Sequence, residues 1–324
     1  MLPKRQLFIV AALFVLPLSG SLLHGREAFS VITQGANFTA WRLCSLIPAA
    51  CGGETSTPAL ALGAYDFDRS YAGPLAIEHF FIKWNAHDRS RLKGDLEQAR
   101  GRNRWPLITV EPWLHEENGS DTRNLFGDIT AGKYDTAIRE ICTDIKEFAG
   151  PVFVRWGHEM EYVSGRYPWA TSDYRGYVAA YRYFVDLCRS LTKNIFYVWS
   201  PVGNQELKDY WPGAEYADYV GLSVYAFPDW DLAHYAKVRS FDEIFVEKYA
   251  RVAGFNKPVM IAELGVTGTK QHQFSWLTQA MRDFARYPLL KSVVYFNSVD
   301  SRSAWPEQFQ IPDWRVDLNI FPPG

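Results

Sequence analysis

Two glutamates, Glu159 and Glu263, close apolar runs and have no helical or capping duty that would account for them. Two carboxyls facing each other across a cleft can cleave a glycosidic bond: one protonates the leaving oxygen, and the other attacks the anomeric carbon or activates water. That division of labour needs their proton affinities pushed apart, and Arg155 or His158 beside Glu159 can hold one carboxyl ionised. A buried ion pair among Arg155, His158 and Glu159 is the competing, purely structural use of the same residues. Other chemistries lack their residues. His158-Glu159 begins the zinc-protease pattern H-E-x-x-H, but Tyr162 stands where its second His belongs, so no metal is expected. There is no G-x-S-x-G elbow and no glycine-rich phosphate loop, so neither a serine nucleophile nor a cofactor is expected.

The elements that must position these residues are eight short apolar, β-branched or aromatic runs, at residues 60–65, 79–84, 106–111, 151–157, 194–200, 218–225, 257–263 and 291–296. Near-continuous apolar runs are how parallel strands read when both faces are covered. Amphipathic segments lie between them, at 136–150, 172–191 and 273–287, and Ser240-Phe-Asp-Glu243 has the form of a capping box. Strand then helix, repeated without a linker-like gap, predicts an α/β fold: one closed (β/α)8 TIM barrel over residues 59–324. Barrel active sites sit at the C-terminal strand ends. There the sequence places Glu111 and Trp113, Arg155 to Glu159, Trp199 and Asn204, Tyr225, and Glu263. Alternation puts Val259, Ile261 and Glu263 on one face of the seventh strand, and Phe153, Arg155 and Glu159 on one face of the fourth.

Aromatic residues make up 16% of the chain; a core can absorb many rings, and so can a groove that stacks flat ligands, but many of these fall at or beyond strand ends. Pyranose rings present apolar C–H faces to aromatic planes, so Trp113, Trp169, Trp199 and Tyr225 are candidate sugar contacts. Glu111, Asn204, Arg155 and His158 would bind hydroxyls, while Trp156, in mid-strand, is expected to face the helices. A formal net charge of −2 marks no nucleic-acid partner. Polysaccharide is the expected partner, and a monomer the expected state.

Lys4 and Arg5 precede an apolar run from Leu7 to Leu18, followed by small residues. Residues 1–25 therefore read as a secretory signal, or as a membrane anchor if uncleaved, with the tether in residues 7–23. Residues 26–58 read as a lead-in to the barrel, and a secreted or periplasmic location follows. Cys44 and Cys51 are close enough for a local disulfide, whereas Cys142 and Cys188, on apolar faces of different helices, are expected to be free buried thiols.

Four segments together resemble the signatures of glycoside hydrolase family 26: Arg155-Trp-Gly-His158-Glu159-Met, Glu111-Pro-Trp113, Trp199-Ser-Pro and Ile261-Ala-Glu263-Leu-Gly265. The resemblance covers essentially the whole barrel. It implies a retaining endo-β-glycanase acting on β-mannan, mixed-linkage β-1,3-1,4-glucan or β-1,3-xylan. Glu159 would be the general acid/base, Glu263 the nucleophile, and His158 and Tyr225 the orienting residues. This chain departs from the family pattern after Met160: Glu161 replaces an Asn, two residues are added, and Arg166 stands where a Trp belongs. On the sixth strand Ser223 replaces an Asp. An arginine near the cleavage point favours a substituted or acidic polysaccharide. Two rivals share these features: a non-catalytic polysaccharide-binding or assembly factor, and a transglycosylase using the same intermediate.

Overall fold

Branched and aromatic runs form strands because their side chains pack well on a pleated surface, and here all eight runs do so within three residues of their expected limits. In the computed structural model, which describes residues 60–86, 88–114 and 124–321, they are Ala61–Asp66 (β1), Ile77–Lys83 (β2), Trp105–Glu111 (β3), Val152–Trp156 (β4), Ile195–Trp199 (β5), Tyr219–Ala226 (β6), Val259–Val266 (β7) and Leu290–Asn297 (β8). All neighbours pair in parallel in chain order, and the barrel closes where Ala61–Asp66 aligns with Ser292–Asn297. The expected (β/α)8 barrel is the observed one. The expected signal or anchor (1–25), the lead-in (26–58) and the Cys44/Cys51 pair lie outside the described residues. Among the described residues no helix is long and apolar enough to cross a membrane.

The helices between strands are Arg89–Gly101 (α1), Leu125–Thr130 (α2), Asp135–Lys146 (α3), Tyr174–Leu191 (α4), Pro228–Tyr235 (α5), Phe241–Ala253 (α6) and Lys270–Asp283 (α7). Side-chain caps start four of them. Asp88, Asp173 and Thr269 accept from backbone N–H groups of α1, α4 and α7, and Ser240 with Glu243 forms the full capping box of α6.

Strict two-residue alternation sorts most strand side chains. Ile108 and Val110, Val152, Val154 and Trp156, and Val220, Leu222 and Val224 join the apolar core shared with the helices. Trp156 behaves as expected, sandwiched by Trp84, Tyr177 and Phe184. The seventh strand breaks the rule. Leu222 pairs with Ile261 but Ser223 pairs with Glu263, leaving Ala262 as the extra residue of a β-bulge. Val259 and Ile261 belong to the helix-facing core, not to the inner face with Glu263 as uninterrupted alternation would have it. The bulge turns Glu263 back into the barrel.

The cysteine expectation also needs correction. Cys142 on α3 and Cys188 on α4 are not free thiols but a disulfide, with Cα atoms 5.4 Å apart. Each does lie on an apolar helix face; what the sequence left open is that these two faces pack on each other.

Candidate active site

The C-terminal strand ends open into a cavity of about 560 Å³ whose walls include Glu111, Glu159, Glu263, Asn204 and Tyr225. Sharp backbone turns bring the first catalytic candidate in. β4 ends at Trp156, and both Gly157 (φ 54°) and Glu159 (φ 57°) adopt the left-handed conformation. Glycine takes this freely; for a glutamate it costs on the order of 1 kcal/mol. The Glu159 N–H donates to the Ser200 carbonyl at 2.8 Å, which holds the turn against that cost. Glu159 is thereby lifted off the end of β4 into the cavity.

Glu263 sits lower, on the β7 bulge, and accepts from the Arg155 guanidinium and the Tyr225 hydroxyl. Arg155 is completely buried and pinned from several strands. Its Nε donates to Ser200 Oγ at 2.8 Å, and longer contacts of 3.4 Å reach Thr109 and Ser223. A buried cation is tolerable only when so partnered, and here the partnership aims two donors at one carboxylate. Burial raises the pKa of Glu159 above the usual carboxylate range, and the negative charge of Glu263 adds to it; Arg166, Arg155 and a hydrogen bond with Ser223 oppose the rise. One carboxyl therefore favours its proton, and the other accepts hydrogen bonds from a guanidinium and a phenol.

The remaining expected residues divide into those at the wall and those behind it. Glu111 lines the cavity and takes the Trp113 indole N–H at 2.9 Å; burial raises its pKa, against that hydrogen bond. Asn204 is presented by a loop whose Gly203 and Asn204 N–H groups donate to Glu161 Oε1, at 2.8 and 3.2 Å. His158 is buried, with a pKa pushed well below the usual range by burial and then by Arg155. Its neutral ring lies 3.2 Å from the Tyr167 hydroxyl, and its carbonyl takes the Trp169 N–H at 2.7 Å. Trp169 is fully buried and stacks beneath Tyr167, so it supports a wall residue and touches no open space itself; Trp113 leans edge-on against it.

Trp199 is misplaced by its position at a strand end. Alternation on β5 turns Ile195, Tyr197 and Trp199 toward the helices, where Trp199 is fully buried against Trp211 and Phe255. It is a core residue, not a sugar contact.

Several wall residues escape sequence reasoning. Tyr65, Phe81 and Phe296, from β1, β2 and β8, form a joined aromatic wall, with Tyr65 stacked on Phe296 at 5.0 Å. Their strand-end positions were a readable signal. Lys248 was not readable: it reaches from α6 to donate to the carbonyls of Val202 and Ser223 at 2.9 and 2.7 Å, and burial lowers its pKa to about 8. Trp305 and Asp300 complete the far side with Trp230 and Arg166, which the sequence does mark, Trp230 as an aromatic just past a strand end and Arg166 as a departure from the family pattern.

Comparison with known proteins fits this geometry. The family model for glycosyl hydrolase family 26 matches residues 114–284. Endoglucanase H of Acetivibrio thermocellus is 27% identical over 75% of this chain, and β-1,3-xylanase TXYA of a Vibrio species is 28% identical over 47%. The chain spans only 26% and 30% of those two proteins. Among solved structures, GH26C from Muricauda sp. MAR_2010_75 superposes with a TM-score of 0.60 at 14% identity, covering 82% of this chain and 83% of that one. The GH26 β-mannanase BoMan26A of Bacteroides ovatus gives 0.56 at 13% identity, covering 83% and 85%. At such identities the likeness is one of fold.

Proposed function

The chain belongs to glycosyl hydrolase family 26, and from that premise we propose that it is a retaining endo-β-glycanase cleaving β-linked polysaccharide, of the β-mannan or mixed-linkage β-1,3-1,4-glucan type, by double displacement. Glu263 is the nucleophile. Arg155 and Tyr225 point its carboxylate into the cavity, where it attacks the anomeric carbon as the glycosidic C–O bond breaks. Glu159 gives its proton to the leaving oxygen. Once Glu263 is esterified its negative charge is gone, and with it one of the two causes that raise the Glu159 pKa. Glu159, now ionised, is then suited to take a proton from the water that attacks the anomeric carbon and frees Glu263. Acid and base roles thus alternate on one residue because its neighbour's charge alternates.

The observation that carries this reading is the asymmetric pair: a carboxyl favouring its proton beside a carboxylate held by a guanidinium and a phenol, in an aromatic-walled cavity. The test is release of reducing ends from mannan, mixed-linkage glucan and β-1,3-xylan, with proton NMR of the first product's anomeric configuration. Glu263→Ala should abolish release, and Glu159→Gln should slow it by about 10²–10⁴-fold on unactivated substrates. Wild-type rates in either variant, or an inverted product, would sink the assignment. Sugar transfer in place of hydrolysis would assign the same site to a transglycosylase. The Cys142–Cys188 disulfide supports work in an oxidising compartment, secreted or periplasmic.

A further inference from the structure

The charged groups at the cavity wall are almost all already engaged. Arg155 is held by Glu263 and Ser200, Lys248 by two carbonyls, and Arg239 by a two-pronged contact with Asp231 at 2.8 and 3.0 Å. Arg166 is different. Its guanidinium stacks over the Tyr167 ring at 4.8 Å and faces the cavity, and its side chain is only 28% exposed. Yet among the described residues none of its side-chain N–H groups has an acceptor at hydrogen-bond distance; the nearest anion is Asp300, at 3.8 Å. Asp300 does not need it. The Ser301 N–H donates to one Asp300 oxygen at 2.7 Å, and the indoles of Trp305 and Trp314 donate to the other at 2.8 and 3.1 Å.

A guanidinium that faces a cavity, only partly exposed and without acceptors among the described residues, is a planar fork of donors, and a carboxylate is the anion whose two oxygens match that fork. The surroundings place it near the cleavage point. Arg166 follows β4, Asp300 follows β8, and these strands are opposite one another in the closed barrel, so the guanidinium projects across the mouth. Its charge acts on both Glu159 and Glu263. Trp305 and Trp230, edge to face at 5.6 Å, line the cavity on the Asp300 side and offer apolar surface to a ring. We propose that Arg166 is a specificity-determining residue that binds a carboxylate on the sugar beside the scissile bond, so that the preferred substrate is an acidic β-glycan bearing a uronic acid or a carboxylated substituent. This rests on the hydrolase reading above and names its substrate class.

Matched polymers test the charge alone: mixed-linkage β-glucan and β-mannan, each neutral and partly oxidised at C6 to the carboxylate. For the backbone that is cut, the carboxylated form should have a KM about tenfold to a hundredfold lower, the effect of one charge-assisted hydrogen-bonded pair. Arg166→Gln should bring the ratio of the two KM values to about one, Arg166→Lys should restore part of it, and Asp300→Asn should widen it. A wild-type enzyme indifferent to the carboxylates, or preferring the neutral polymer, overturns the proposal and leaves the hydrolase reading intact. So does an Arg166→Gln variant weakened equally on both forms. If no polymer is cut in either form, the hydrolase reading fails instead. Gel affinity electrophoresis of the Glu263→Ala protein in neutral and carboxylated polymer then decides the carboxylate preference by itself, by the same ratio and the same loss in the Glu263→Ala, Arg166→Gln double variant.

Discussion

The helix-facing layer and the barrel mouth draw on the same aromatic residues and use them in opposite ways. Trp156 and Trp199 in the layer are wholly buried, and their indole N–H groups find no acceptor among the described residues. At and just behind the mouth four indoles are orienting donors: Trp113 to Glu111, Trp169 to the His158 carbonyl, Trp305 and Trp314 to Asp300. Trp156 and Trp199 serve the layer as volume, whereas Trp113 and Trp305 serve the mouth as planes with a polar handle. Their backbones differ in parallel. The layer follows regular alternation, while the mouth is made by exceptions, the left-handed Glu159 and the bulge at Ala262. The lesson is that the regular part supplies rigidity, and local irregularities aim the reactive groups.

Exchanging the roles of two tryptophans is the most forceful way to break this contrast. Trp199→Ala should cost about 3–5 kcal/mol of stability by cavity formation, read by chemical denaturation, with KM unchanged. Trp305→Ala should do the reverse, raising KM severalfold at a smaller cost in stability. A Trp199 variant of normal stability and raised KM would return that residue to the site. Next in size, converting Cys142 and Cys188 together to alanine opens a link between residues 46 apart in sequence, worth up to about 4 kcal/mol in loop entropy. Because α3 and α4 lie behind the layer, kcat/KM at 25 °C should not move. A loss of activity without a loss of stability would mean the two regions are less separate than their contacts indicate.

How much of this was legible in the sequence follows the same division. All eight strands and the capping box of α6 announce themselves, since apolar runs and caps are local signals. Glu159 and Glu263 are legible at strand ends, but Glu263 does not share a face with Val259 and Ile261, which are helix-facing, because a bulge leaves no mark in a run of apolar residues. Trp199 misleads because it lies at a strand end, where site residues gather, while parity along β5 turns it toward the helices. The Cys142–Cys188 bond and the Lys248 contact with the mouth join elements distant in sequence, so only the packing of α3 on α4, and of α6 beneath β6, reveals them.

The smallest effects expected are also the most specific to the mouth, because they move a pKa and leave the fold alone. Glu159 must be protonated to act as an acid, so kcat/KM should fall as pH rises through its pKa, which burial and Glu263 hold above the ordinary value of 4.5. The cation Arg166 favours the ionised form, as does the hydrogen bond with Ser223. Removing either makes the proton harder to lose. The descending limb on a neutral substrate should therefore shift to higher pH in Arg166→Gln, and by less in Ser223→Ala, each by under about one unit, or 1.4 kcal/mol. Trp199→Ala, for all its cost in stability, should leave the limb where it is. A limb that moved with the layer and not with the mouth would erase the distinction between volume and aim on which the site depends.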